Sequence, residues 1–174
     1  MSVTKKVSFS AILAAVSFII LLMGCVLETV TFSVAAIASL CIVVAVIELG
    51  YLYSAMIYAA VSLISFFLLP VKDPLLYYTA FFGFYPIIKA LTERLNKAMA
   101  YIIKGAVFTA SFFAVLFLGI KLIAPEVKLE TYLVIIGYAV LLAVFYAFDY
   151  ALTKLILSYN SRIRKRLGID KLLK

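Results

Sequence analysis

The sequence predicts an all-α, polytopic membrane protein, a single integral membrane domain over residues 1–174 with six transmembrane helices and both termini cytoplasmic. Three observations predict it. Hydrophobic residues make up 67% of the chain and charged residues 14%, with mean hydropathy +1.21. A soluble domain of this length has to show more polar surface than that. The apolar runs are also apolar all round for about 20 residues, as spanning helices require, whereas spanning barrel strands alternate over about 10. Finally, the positive charges are one-sided, as the positive-inside rule expects.

The elements follow in order. Met1 to Lys6 is a short polar head, and residues 7–27 form the first span. Leu22-Met23-Gly24-Cys25 resembles a lipoprotein signal, but the chain runs directly into another apolar stretch, so the segment is read as a retained helix. Glu28 and Thr29 make a tight turn, and residues 30–47 form the second span. Glu48, Leu49 and Gly50 are a weak break before the third span, residues 51–69. Pro70 and Pro74 flank Lys72 and Asp73 in a loop, because proline lacks the backbone donor and restricts its predecessor. Residues 75–91 form the fourth span, with Pro86 as a kink near its end, and residues 99–120 the fifth. Pro125 to Glu130 is a polar loop, residues 131–153 are the sixth span, and the tail 154–174 is basic.

The weak break after Glu48 leaves five helices as the competing count. Charge decides for six. With six spans, one side holds Lys5, Lys6, Lys89, Arg94, Lys97, Lys104, Lys154, Arg162, Arg164, Lys165, Arg166, Lys171 and Lys174. The other holds only Lys72, Lys121 and Lys128. A five-span chain would put its two basic ends on opposite sides.

Candidate functional residues fall into three groups. Glu48, Lys89, Lys104 and Asp149 sit toward the cytoplasmic ends of spans, where ionised groups must snorkel, pair or line a polar cavity. Two positives and two negatives at similar depth point to pairing, Asp149 with Lys104 or Glu48 with Lys89. Ala11 and Ala15 form a small-xxx-small pair suited to close approach of a partner helix, and Ala35, Ala36, Ala38 and Ser39 offer the same in the second span. On the outer side, Asp73, Tyr77, Tyr78 and Tyr132 are candidate substrate-binding residues: the rings can stack on a flat ligand and the charge can orient it. An interfacial tyrosine belt is the alternative for the same rings.

Two secondary features concern the inner surface. Glu93 and Lys97, spaced i and i+4 with the acid first, suggest that the fourth span continues as helix into the cytoplasm. Leu152, Leu155, Ile156, Tyr159 and Ile163 form an apolar stripe followed by Arg162, Arg164, Lys165 and Arg166, so the basic tail can lie on anionic lipid. Ordinary snorkelling at a span end is the alternative reading of that stripe.

No enzyme, metal or cofactor is expected. The chain has no histidine, both cysteines (Cys25 and Cys41) lie in apolar runs, and no nucleophile–base set or glycine-rich phosphate loop is visible. The basic surplus lies at membrane flanks without the aromatic interleaving of a nucleic-acid surface.

Length, six spans with both ends inside, a lysine-flanked first helix and the run Ala11-Ile12-Leu13-Ala14-Ala15 together resemble the substrate-binding S component of energy-coupling-factor (ECF) transporters. The resemblance covers roughly residues 5 to 158, at the level of topology and one short Ala-x-x-x-Ala motif. It implies a membrane-embedded substrate-capture subunit for ATP-driven uptake of a vitamin or small nutrient. It further implies that Ala11 and Ala15 contact a transmembrane coupling subunit carrying an ATPase pair, and that the small-molecule pocket lies toward the outer face. The first outer loop, only Glu28-Thr29, is shorter than the lid found in that family. A scaffold or assembly subunit of a bacterial cell-envelope complex shares this size and topology and stands as the alternative function.

Topology is directly testable. A reporter that is active only in the cytoplasm should be active when fused to either end of the chain and inactive when inserted after Lys72. Activity at one end alone would restore the five-span count.

Overall fold

The computed structural model describes residues 3–122, 131–159 and 161. Among them the chain is helical throughout. Helices α1 (Val3–Val26), α2 (Thr31–Glu48) and α3 (Tyr51–Leu68) are followed by a rod in three pieces, and then by α6 (Lys97–Leu122) and α7 (Thr131–Ser158). The rod comprises α4 (Asp73–Tyr77), a π-helical turn (Tyr78–Phe82) and α5 (Tyr85–Thr92). Five helices, all but the rod, are long and apolar enough to cross a membrane.

The rod is the sixth member. At one end the Cys25 thiol lies 3.5 Å from the Val71 carbonyl oxygen, so the rod starts beside the end of α1. At the other, Tyr51 donates to the Ala90 carbonyl oxygen (3.4 Å) and Arg94 lies over the Tyr51 ring, so it finishes beside the start of α3. It therefore runs the length of α3. Its interruption has a local cause. Pro86 has no N–H to donate and its ring clashes with the carbonyl four residues back, so the ladder must change before it. The change is an i→i+5 bond from the Gly83 N–H to the Tyr78 carbonyl oxygen (2.7 Å), after which α5 starts with proline in its first turn.

The break between α2 and α3 is equally definite. Gly50 takes φ +87°, a conformation closed to most side chains, and α3 starts immediately after it. At the far end of α3, the Lys72 ammonium donates to the Phe66 and Leu69 carbonyl oxygens (2.6 and 2.7 Å), satisfying carbonyls that the helix end leaves open.

Packing divides the bundle in two. In the first half, α1, α2, α3 and the rod meet through small residues. Ala35, Ala38, Ser39 and Ala45 of α2 are fully buried, and Ser17 of α1 donates to the Ala38 carbonyl oxygen (3.4 Å). The small residues of α2 thus pack internally; they are not a docking face, except that Ala36 is half-buried beside a cavity. Ala11 and Ala15 of α1 point the other way and are exposed, on the same outward face as Ile12 and Ile19. In the second half, α6 and α7 join through aromatic side chains, with Tyr85, Phe108, Phe145 and Leu152 buried around Val43 of α2.

Several expectations are corrected by these contacts. The helix of the fourth span stops at Thr92, and Glu93 pairs back with Lys89 (3.1 Å), so no helix carries Glu93 and Lys97 together beyond the bundle. Helix α7 continues past residue 153 to Ser158. Its Leu152 and Ile156, with Tyr159 just beyond its end, pack inward on the bundle, whereas Leu155 of the same stripe is exposed. The loop Pro125 to Glu130 and the basic residues from Arg162 to Lys174 lie outside the described residues.

Gly83 offers a sharp test of the packing. A Cβ there would come within 2.6 Å of the Tyr58 ring, which is held in place by its hydroxyl bond to the Thr79 carbonyl oxygen (2.8 Å). Gly83→Ala should destabilise the protein by about 1–3 kcal/mol, the usual cost of overpacking. Gly105→Ala, where a Cβ meets nothing within 4 Å, should be near neutral. Thermal unfolding of both variants in detergent provides the comparison.

Candidate functional site

Two features face each other across the second half of the bundle: an ionic clasp near one end and an aromatic cleft above it. The clasp is built from helical spacing. Tyr85 and Lys89 are four apart on α5, and Asp149 and Thr153 are four apart on α7, so each pair lies on one face of its helix. Lys104 approaches from α6.

The Asp149 carboxylate is the hub. Its Oδ1 accepts from Lys89 (2.6 Å), from the Tyr85 hydroxyl (2.6 Å) and from Lys104 (3.2 Å), and its Oδ2 accepts from Lys104 (3.0 Å). Lys89, 1% exposed, also donates to the Thr153 hydroxyl (2.7 Å) and pairs with Glu93 (3.1 Å). The Thr153 hydroxyl donates in turn to the Asp149 carbonyl oxygen (2.9 Å). Charges thus alternate along Glu93, Lys89, Asp149 and Lys104, which lets two ammonium groups lie inside an apolar bundle without a net charge.

Of the four charged residues singled out from the sequence, three meet: Lys89, Lys104 and Asp149. Glu48 does not pair with Lys89. It accepts instead from the Tyr159 hydroxyl at the end of α7 (3.3 Å). The reason is geometric: the face of α5 that carries Lys89 is turned toward α7. Tyr85 and Thr153 were not singled out, although their i, i+4 relation to Lys89 and Asp149 is readable in the sequence.

The cleft lies beyond the clasp, between α2, the π turn, α6 and α7, with a volume of about 440 Å³. Seven of its fifteen lining residues are phenylalanine: Phe32 of α2, Phe81 and Phe82 of the π turn, Phe108 and Phe112 of α6, and Phe145 and Phe148 of α7. Its floor is an aromatic layer. Phe81 stacks on Tyr85 with centroids 4.8 Å apart, and Phe145 meets Tyr85 edge-on at 5.4 Å, so the layer separates the cleft from the charged groups below. No charged side chain lines the cleft; the hydroxyl-bearing residues that border it are Ser33, Tyr77 and Ser111.

Neighbouring tyrosines part company because successive helical residues point about 100° apart. Tyr77 lines the cleft, its ring edge-on to Phe32 at 5.6 Å. Tyr78 faces the other way, fully buried beside Tyr58 in the first-half core, so it does not share a pocket with Tyr77. Asp73 stands at the start of α4 and Tyr132, 56% exposed, at the start of α7, and neither lines the cleft. The sequence candidates therefore do not form one site. The rings that do, Phe32, Phe108, Phe112 and Phe145 among them, are indistinguishable in the sequence from exposed phenylalanines such as Phe113 and Phe67.

Among the described residues, no group of three or more cysteine, aspartate and glutamate side chains is placed to hold a metal ion. No known protein family, curated protein or solved structure matches the chain.

The clasp makes a graded prediction. Asp149→Ala leaves two buried ammonium groups without their shared carboxylate and should cost about 3–5 kcal/mol. Lys104→Met, which leaves the Lys89 and Tyr85 bonds to Asp149 in place, should cost less than Lys89→Met. Denaturant unfolding of the three variants in mixed micelles gives the order.

Proposed function

We propose that the protein is a substrate-capture subunit of the cell membrane, holding an uncharged small molecule in the cleft between α2, the π turn, α6 and α7 for uptake by an ATP-driven partner assembly. The observation that carries this reading is the cleft itself. Its volume of about 440 Å³ falls within the range of small-molecule sites, roughly 300–1,000 Å³, and it combines apolar walls with a few polar groups, as such sites do. Helices packed only to support one another close such a space with side chains.

Energy coupling is assigned to a partner because nothing in the sequence supplies it: no phosphate-binding loop is present. The exposed Ala11 and Ala15 face of α1 is the proposed contact for a transmembrane coupling subunit with its ATPase pair, and neither residue lines the cleft. The division of labour matches the resemblance to ECF S components, with capture in one half of the bundle and docking on the other. The protein itself catalyses no reaction. In this orientation the clasp lies toward the cytoplasm and the cleft toward the outer half of the membrane.

The second reading, a scaffold subunit of a cell-envelope complex, has one observation in its favour: the same exposed face of α1 serves any partner helix. The two readings separate on the cleft. Protein purified in mild detergent should carry a small molecule detectable by mass spectrometry, and Ala36→Phe, which projects a ring into the cleft, should abolish its retention. Ala11→Leu with Ala15→Leu should release the paired ATPases from the purified complex and leave ligand retention unchanged. An empty wild-type cleft together with co-purified envelope proteins would support the scaffold.

A further inference from the structure

The polar groups of the cleft say more about its ligand than its volume does. Ser111 on α6 is 6% exposed, lines the cleft, and its hydroxyl makes no hydrogen bond to another described residue. This is unusual for a serine inside a helix, where the hydroxyl commonly bonds back to the preceding turn. Thr109, two residues earlier, shows the usual pattern: it bonds to the Gly105 carbonyl oxygen (2.9 Å) and to the Tyr138 hydroxyl (3.0 Å). Tyr77 and Ser33 also line the cleft, and neither side chain makes a hydrogen bond to another described residue. Three hydroxyl-bearing residues on three separate elements thus border one aromatic space, with Ser111 buried, Tyr77 half-buried and Ser33 exposed. Of the three, Ser111 is the buried one, so a bound molecule that accepts a hydrogen bond from its hydroxyl gains selectivity from it.

The walls restrict the body of that molecule. Stacked and edge-on rings such as Phe108 and Phe145, 4.9 Å apart, form flat surfaces that favour a flat ring over a flexible chain. No charged group lines the space, so an ionised ligand would lose its hydration with nothing to replace it. The route of entry fits the same chemistry. Ile37 of α2 and Val144 of α7 line the cleft and are 52% and 41% exposed, on the outer surface of a membrane-spanning bundle, so the cleft is reached sideways from the bilayer.

We infer that the cleft takes an uncharged, flat ring carrying hydrogen-bond-accepting oxygens, the chemistry of a lipid-soluble quinone, with its oxygens on the Ser111, Tyr77 and Ser33 hydroxyls and its ring among the phenylalanines. This rests on the capture reading and narrows its substrate class: it excludes the carboxylated and phosphorylated nutrients that a charged site would hold.

The test uses the full chain in lipid nanodiscs, with empty nanodiscs correcting for partition into lipid, and equilibrium dialysis as readout. The probe is dimethylnaphthoquinone, whose substituted ring does not add to the thiols of Cys25 and Cys41. It is compared with dimethylnaphthalene, the same frame without oxygens, and with a dimethylnaphthoate, which carries a charge. The quinone should bind saturably and at least about fivefold more tightly than either comparator, the factor that one hydrogen bond of about 1 kcal/mol provides. Ser111→Ala and Tyr77→Phe, both nearly isosteric, should each weaken the quinone about five- to tenfold and leave dimethylnaphthalene unchanged. Ala36→Phe should abolish saturable binding of both.

Equal binding of quinone and hydrocarbon, unaffected by loss of the hydroxyls, would overturn the inference. So would tighter binding of the naphthoate in an Ala36-dependent way, and in that case the capture reading stands while its substrate class is wrong. If none of the three probes binds saturably, the inference falls. The mass-spectrometric search for a retained molecule then decides separately whether the capture reading falls with it.

Discussion

The second half of the bundle depends on one carboxylate. Asp149 is the point at which α5, α6 and α7 are tied together, through Lys89, Tyr85 and Lys104. Within a bilayer, apolar contact between helices has little advantage over contact with lipid, so helices separate unless small residues or polar bonds hold them. The first half of the bundle uses small residues: alanines and serines bring α1 and α2 together. Helices α6 and α7 have phenylalanines where close approach would need alanine. Polar bonds supply what small residues cannot, and the clasp does so at the end where Lys89 and Lys104 enter.

That arrangement has a structural consequence. Helices clasped near one end by long side chains, and spaced by rings above, leave room between them. The cleft is that room. Phe81, Phe145 and Phe148 cover the clasp, so the same aromatic layer closes the cleft from below and keeps its contents away from the charges. The π turn places this layer. It carries Phe81 and Phe82 at the cleft, on from Tyr77 of α4, while Tyr78 packs in the first-half core. A regular helix continued through this region would rotate these side chains by about 100° per residue added.

Much of this was legible in the sequence, for identifiable reasons. The length and uniform apolarity of the runs determine helices and a membrane, because a helix satisfies its hydrogen bonds within one run and the alternation of a closed barrel's strands is absent. The Gly50 break, the Pro70–Pro74 loop and the Pro86 interruption were visible because glycine and proline act locally, through their own dihedrals and missing groups. Asp149, Lys89 and Lys104 stood out because ionised groups are rare inside apolar runs and must find one another. Glu93 misled because its spacing to Lys97 and its spacing to Lys89 are equally helical, and only the stop at Thr92 decides between them.

The sequence by itself therefore determined the material and the constraints: an all-helical membrane protein, where its helices break, and which charges must be neutralised. Tertiary structure alone decided which face of each helix meets which neighbour. In an apolar all-round helix no polar face marks the outside, so periodicity carries no orientation and a phenylalanine reads the same whether it faces lipid, core or cleft. For that reason the pairing of Lys89 with Asp149 rather than Glu48, the parting of Tyr77 from Tyr78 and the cleft itself emerge only when the helices are packed.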